Sequence, residues 1–236
     1  MSRGPARRAV ILGAAASLAA LAAGCGAAPP GGDAAGAGEG GGGAGRAVAR
    51  GARRDITLAL WAGADEESAR GPLPRIETTL AGPGGERVIR GPAPWKDARS
   101  GRVLHVYERI ARRRKGGAKR QLFAPTHGGQ ALGRVLDERT GLPVRLFDDD
   151  AIFPLGPWRE GEAREFAAVE HTVLGPAART QTLEIRRIDL EFAGVPGSLE
   201  YDWSARDAAG RLLYAERYVY SPGLGQVRFV NLLGSA

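Results

Sequence analysis

The C-terminal part of the chain alternates between apolar and polar residues, and this period of two sets narrow limits on its architecture. Over residues 199–205 every second residue is apolar, and the residues between them are polar. Side chains of a β-strand point alternately to its two faces, so this pattern predicts a half-buried strand. No stretch after Asp55 predicts an amphipathic helix of more than about two turns, although residues 64–69 could form a short one. The sequence therefore predicts an all-β, antiparallel domain.

Further segments have the composition of strands joined by tight turns. Residues 103–111 predict the first long strand, which residues 115–118 turn back into 120–125. Residues 131–137 and 142–147 predict a hairpin, and residues 207–210 turn the chain into an apolar run over 212–220. The apolar positions change parity between Arg186 and Arg187, which predicts a β-bulge there. We expect a mostly meandering, curved sheet that could form an open or half barrel, and the sequence leaves open whether the sheet closes.

The N-terminus has the layout of an export signal. Arg3, Arg7 and Arg8 precede an uncharged, largely apolar stretch over residues 9–24, and the first acidic residue is Asp33. A basic leader, a short apolar region and small residues at its end are typical of a secretory signal peptide. A membrane-spanning helix needs about 20 apolar residues, so a permanent anchor is the weaker interpretation. The two adjacent arginines leave twin-arginine export open as an alternative route.

Residues 21–25, with the sequence Leu-Ala-Ala-Gly-Cys, resemble the lipobox that bacterial lipoprotein signal peptidase recognises. The leucine lies four residues before the cysteine, one more than is usual. Cys25 is the only cysteine among the 236 residues, and it falls where a lipobox requires one. The resemblance implies a signal peptide over residues 1–24 and lipidation of Cys25, for example with palmitate. An ordinary secreted protein, with an incidental Cys25, is the alternative.

The segment after the cysteine predicts a flexible tether. Residues 25–54 consist almost entirely of Gly, Ala, Pro and a few charges, which cannot bury enough apolar surface to offset the entropy of ordering. One β-rich domain is then expected over residues 55–236. By resemblance to known sorting rules, Gly26 after the cysteine implies delivery to the outer membrane, with the domain facing the periplasm. The expected partner is the membrane, through the lipid.

Charge and cysteine content exclude some classes of protein. Removing the three leader arginines leaves 30 basic and 26 acidic residues, a net charge of +4. Only three of the basic residues are lysine, so the high isoelectric point reflects an arginine-rich composition, and no nucleic-acid partner is expected. A single cysteine forms no internal disulfide, so the fold must depend on its hydrophobic core.

The end of the chain resembles a hairpin found in uncharacterised secreted β-proteins of bacteria. Residues 218–225 read Tyr-Val-Tyr-Ser-Pro-Gly-Leu-Gly, and Pro222 and Gly223 suit the central positions of a turn. In those proteins an earlier strand begins near a segment that contains Pro-Leu and Trp. Residues 153–158, which contain Pro, Leu and Trp, could be its counterpart here. The resemblance covers residues 152–232 and implies an envelope β-domain with no established chemistry.

The residue types that perform chemistry are scarce or poorly spaced. His105, His127 and His171 are far apart in sequence, and the run Asp148–Asp150 lacks the spacing of a calcium loop. No serine lies in a Gly-x-Ser-x-Gly elbow. We therefore predict no catalytic residue, no metal site and no cofactor, and we interpret residues 148–150 as solvated carboxylates at a strand end.

A cationic cluster is the most distinctive local feature. Seven basic residues and no acidic residue occur within 12 positions around a Gly-Gly turn: Arg109, Arg112, Arg113, Arg114, Lys115, Lys119 and Arg120. The cluster predicts either a solvated turn that protects a strand edge or a surface attracted to anionic lipid or an acidic envelope protein.

Two functions follow from these observations. The first is a non-catalytic envelope lipoprotein that binds a partner or supports assembly. The second is a periplasmic carrier that holds a lipid or another apolar ligand in a concave sheet. An apolar cavity would favour the carrier, and a filled core would favour the binding module.

Overall fold

The structure is a computed structural model that describes residues 51–67, 69–82, 85–114 and 116–233. The predicted signal peptide, Cys25 and most of the predicted tether lie outside these residues. Within them the chain forms one short α-helix, α1 (Leu58–Ala62), and thirteen strands. The strands are β1 (Arg53–Ile56), β2 (Ile76–Gly82), β3 (Gly85–Lys96), β4 (Val103–Arg113), β5 (Ala118–Thr126), β6 (Ala131–Arg139), β7 (Arg145–Pro154), β8 (Gly156–Arg159), β9 (Ala163–Thr172), β10 (Gly175–Phe192), β11 (Val195–Asp207), β12 (Leu212–Ser221) and β13 (Gly225–Asn231).

Eleven of these strands form one open antiparallel sheet. Its order is β13-β12-β11-β10-β9-β7-β6-β5-β4-β3-β2, so consecutive strands are neighbours throughout, apart from β8. This arrangement confirms the predicted all-β class and the antiparallel meander. β1 and β8 pair with each other as a separate two-stranded sheet. This pairing starts at Arg53, two residues before Asp55, where the sequence places the start of the domain.

Bulges bend the sheet strongly. The register of β10 against β11 shifts between Ile185 and Arg187, at the predicted bulge, and it shifts twice more before Phe192. A bulge bends its strand and increases the local twist. The two edges of the sheet approach each other as a result, since a Cβ added to Gly225 in β13 would lie 3.2 Å from Leu80 Cδ1 in β2.

Helix α1 fills part of the space inside this curled sheet. All five of its residues are buried, and the Trp61 ring lies edge-on to Phe123, with 4.9 Å between centroids. Gly63 ends the helix at a φ of 63°, and a Cβ there would lie 2.6 Å from the Gly225 nitrogen. Residues 64–67 and 69 are not helical, so the short helix suggested at residues 64–69 is not found among the described residues. A segment that is apolar on every side becomes a buried helix without any amphipathic period.

The main core lies on the concave face of the sheet. It joins α1 to Tyr107, Phe123, Phe153 and Tyr201 of four strands. A smaller cluster around Val106 and Leu122 lies on the other face, because neighbouring residues of a strand point to opposite sides. No helix in the described part of the chain is both long enough and apolar enough to cross a membrane.

Candidate anion-binding chamber

The part of the concave face that α1 leaves free forms a chamber of about 380 Å3. The guanidinium of Arg109 lies at the boundary between the chamber and α1, since it lines the chamber and lies 5.9 Å from the Trp61 ring centre. Arg109 follows the buried Tyr107 by two positions on β4, so strand alternation directs both side chains to the same face. Gln121 and Lys119 point to this face as well, because they alternate with outward-facing residues before the buried Phe123 on β5.

Positive charge dominates the chamber wall. Among the described residues that line it, Glu216 is the only carboxylate, and six are cationic: Arg87, Arg109, Lys119, Arg134, Arg139 and Arg145. They come from five consecutive strands of the sheet, β3 to β7. A concave wall with such an excess of one sign concentrates its field on the enclosed space. The chamber therefore attracts anions.

Half of these cations form ion pairs with one buried carboxylate. Asp137 accepts hydrogen bonds from Arg134 at 3.2 Å, from Arg139 at 2.9 Å and from Arg145 at 3.0 Å. Burial by itself would raise the pKa of Asp137. The hydrogen bonds from Arg139 and the charges of Arg134 and Lys119 outweigh it and lower the pKa to about 2. Asp137 is thus an anion under all ordinary conditions, and it holds three guanidinium groups in place.

Two further buried carboxylates complete this network. Asp150 accepts from Arg134 Nε at 2.8 Å, and Glu170 accepts from Arg145 at 3.3 Å and pairs with Arg179. Asp150 belongs to the run Asp148–Asp150, which the sequence predicted to be solvated carboxylates at the end of a strand. That interpretation is wrong for Asp150, because the run lies inside β7, where a bulge turns this side chain inward.

The other three cations have no such partner. Within the described part of the chain, no carboxylate forms an ion pair with Arg87, Arg109 or Lys119. Arg109 instead donates to the amide oxygen of Gln121, through Nε at 3.2 Å and through Nη2, and it lies 4.9 Å from the Phe123 ring centre. Neutral groups therefore orient Arg109 while leaving its charge uncompensated. An unpaired, partly desolvated charge is costly, and a bound anion relieves that cost.

The pKa values of two of these groups reflect the excess of positive charge. Burial and the neighbouring charge of Arg109 lower the pKa of Lys119 to about 7, although Asp137 opposes the shift. Burial and Arg109 also lower the pKa of Arg87. A lysine with a pKa near neutrality inside a concave site is a recognised mark of functional positions.

An aromatic wall faces the cations. Tyr214 stacks on Trp203, with 5.8 Å between ring centres and 10° between planes, and Tyr218 contacts Phe229 at 5.4 Å. Phe229 is half exposed and stands at the mouth of the chamber. Burial raises the pKa of Tyr218 far above its usual range, with a further contribution from Glu216, so this ring is neutral. The chamber thus combines anion-binding groups with a flat apolar surface.

The structure separates the seven residues of the predicted cationic cluster. The predicted hairpin is present as β4 and β5, but only Arg109 and Lys119 point into the chamber. Arg120 pairs with Glu108 at 2.7 Å, and Arg112 pairs with Glu86 at 3.3 Å. Arg113 and Arg114 are exposed at the hairpin end, and Lys115 lies outside the described residues. The attraction of this hairpin to anionic surfaces stays a prediction.

The histidines do not meet. His171 Nε2 lies 2.6 Å from Asp148, and His127 Nε2 lies 2.9 Å from the carbonyl oxygen of Asp149. His105 lies on β4, among the exposed residues. Over the residues that the structure describes, no group of three or more His, Cys, Asp or Glu side chains could hold a metal ion.

Sequence reasoning missed four of the six chamber cations: Arg87, Arg134, Arg139 and Arg145. They are scattered over strands β3, β6 and β7, where a basic residue predicts a solvated face. Their convergence depends on the curl of the sheet and on bulges such as the one between Arg134 and Leu136. The composition offered one indication, since a chain with so few acidic residues in β3 to β6 cannot neutralise all of its strand arginines.

Comparison of the chain with protein-family models, with curated proteins and with solved structures finds no match. The chamber geometry and the sequence therefore carry the functional argument.

Proposed function

We propose that this chain is a lipid-anchored envelope protein, held at the outer membrane through Cys25, whose domain binds a small organic anion in the chamber. The single observation that carries this proposal is the unpaired set of Arg87, Arg109 and Lys119 on a wall that faces aromatic rings. The protein binds its ligand without turning it over, as expected for a binding module with no catalytic signature.

Size and polarity define the ligand class. A chamber of about 380 Å3 is near the lower end of small-molecule sites, and it is too small for a diacyl lipid. The apolar part of the concave face is occupied by Leu58, Leu60 and Trp61 of α1, which are buried. These features favour an aromatic carboxylate over the apolar cargo of a lipid carrier. The carboxylate pairs with Arg109 and its neighbours, and the ring packs on Tyr214, Tyr218 and Phe229.

A titration calorimetry experiment tests the proposal. The mature chain, from residue 25 onward and carrying Cys25→Ser, is titrated with 3-phenyllactate at low ionic strength. Arg109→Gln should weaken binding by about tenfold or more, because a hydrogen bond to a charged group contributes about 1.5–3 kcal/mol. Arg112→Gln, on the same strand but paired with Glu86 outside the chamber, is the matched control and should bind like the parent.

Two outcomes would contradict the proposal. The first is no saturable binding of 3-phenyllactate or of related aromatic carboxylates by the parent. The second is an equal loss of binding in Arg109→Gln and Arg112→Gln, which would mean that net charge alone, and not the chamber, attracts the anion.

A further inference from the structure

We propose that Lys119 is a nucleophilic amine that captures an anionic carbonyl compound, a 2-oxo acid with an aromatic side chain, as a reversible imine. This inference rests on the proposed function of the chamber and names its ligand more closely. It concerns the one chamber cation that can lose its proton and form a covalent bond.

The position of Lys119 supports this role. Its register partner on β6 is Arg139, and on β4 it lies opposite Ala111 and diagonal to Arg109, whose partner is Gln121. Directly opposite and diagonal side chains on one face have Cβ atoms about 5 to 8 Å apart. A carboxylate held by the Arg109 guanidinium therefore places an adjacent carbonyl carbon within reach of Nζ.

The surroundings of Lys119 keep its amine reactive. Unlike Arg134, Arg139 and Arg145, Lys119 forms no ion pair with a carboxylate of the described chain, so no fixed partner holds the ammonium form. Burial and the charge of Arg109 favour the neutral amine, which is the nucleophile in imine formation. Lys96, by contrast, is exposed at the end of β3.

The chemistry is balanced and needs no redox partner. The Nζ lone pair attacks the carbonyl carbon and gives a carbinolamine. Loss of one water molecule, which takes the carbonyl oxygen and two protons from the nitrogen, leaves the carbon–nitrogen double bond of the imine. Hydrolysis reverses both steps and returns the unchanged 2-oxo acid, so the reaction is reversible capture.

The aromatic wall favours a ring on the 2-oxo acid. Tyr214 and Tyr218 lie on β12, across the chamber from β5, so a ligand joined to Lys119 extends its side chain toward them. Phenylpyruvate has the required carboxylate, carbonyl and ring, and 3-phenyllactate differs from it only by a hydroxyl group in place of the carbonyl. Comparing phenylpyruvate with 3-phenyllactate therefore distinguishes covalent capture from simple anion binding.

Reductive trapping tests the proposal. The mature Cys25→Ser chain is incubated with phenylpyruvate and sodium cyanoborohydride, whose hydride reduces an imine to a stable secondary amine. Peptide mass mapping then locates the adduct, a simple task because the chain has only three lysines, Lys96, Lys115 and Lys119. We expect modification at Lys119, at least tenfold faster than at Lys96, and inhibition by excess 3-phenyllactate.

The pH dependence and two variants complete the test. The trapping rate at Lys119 should level off near pH 7, because its amine is largely neutral above that pH. Lys119→Arg, which keeps the charge but has no nucleophilic amine, should abolish the adduct. Lys96→Arg should react like the parent.

The outcomes separate the two proposals. If 3-phenyllactate binds but phenylpyruvate modifies Lys96 as fast as Lys119, covalent capture is wrong and anion binding stands. If neither compound binds and no lysine is preferred, both proposals fail.

Discussion

The guanidinium of Arg109 on β4 is held by the amide oxygen of its cross-strand partner Gln121 on β5, and not by a carboxylate. The amide fixes the geometry of the arginine and leaves its positive charge free. Asp137 has the opposite effect nearby, since it pairs its negative charge with the arginines that contact it. The chamber therefore contains a structural ion network on one side and unpaired cations on the other.

The Asp137 network should be important for stability. Asp137→Asn would remove the charge that three buried or half-buried arginines share, and breaking a buried pair in this way costs about 3–5 kcal/mol. Urea unfolding of the variant measures this loss. Glu86→Gln, which breaks the exposed pair with Arg112, should cost less than about 1 kcal/mol. If the free energy of unfolding falls by the same small amount in both variants, the Asp137 network does not stabilise the fold.

The pKa of Lys119 makes a prediction about alkaline stability. Folding lowers this pKa from 10.5 to about 7, so between these pH values the folded protein binds fewer protons than the unfolded chain. Stability at this site should then rise with pH across that window. Urea midpoints measured across it should show a rise in the parent and in Lys96→Gln, and a smaller rise in Lys119→Gln. If the parent and Lys119→Gln have the same pH dependence, folding does not lower the pKa of Lys119.

The anchor is tested by metabolic labelling with a fatty acid. We expect the parent to incorporate label and Cys25→Ser to remain unlabelled and unprocessed, because the lipid joins this cysteine. Equal incorporation by both chains would rule out lipidation at Cys25.

The exposed end of the β4–β5 hairpin should attract anionic membranes separately from the chamber. Replacing Arg112, Arg113 and Arg114 by Ser should remove most binding to anionic vesicles at low salt while leaving the affinity for 3-phenyllactate unchanged. Salt should weaken the vesicle binding, since the Debye length falls from about 10 Å at 0.1 M to about 3 Å at 1 M. If the triple variant binds vesicles as well as the parent does, the hairpin end is only a solvated turn and does not bind membranes.

The strands that the sequence predicted correctly are those in which alternation is strong. Residues 199–205 lie within β11, and the parity change at Arg186 and Arg187 coincides with an observed register shift. The sequence predicts β4 as the first long strand and does not reveal β2 and β3, because Gly and Pro interrupt the apolar pattern of β3. Helix α1 was missed because its burial comes from the surrounding sheet, which no local pattern records.

The chamber was beyond sequence reasoning for a related reason. Arg109 and Lys119 were grouped with the hairpin end by their closeness along the chain, but strand alternation sends them inward and sends Arg112 and Arg120 outward. Arg134 and Arg145 reach the same space only after the bulges in β6 and β7. Long-range curvature thus decides which basic residues form a site.

The substitution Gln121→Glu tests the central claim most directly. It places a carboxylate at the oxygen that already accepts from Arg109, so an internal ion pair replaces the one that a ligand would form. We predict that calorimetric titration shows at least a tenfold loss of affinity for 3-phenyllactate in this variant, together with a higher melting temperature. Gln130→Glu, an equal change of charge at an exposed position outside the chamber, should bind like the parent. Unchanged affinity in Gln121→Glu would contradict an anion site built on the free charge of Arg109.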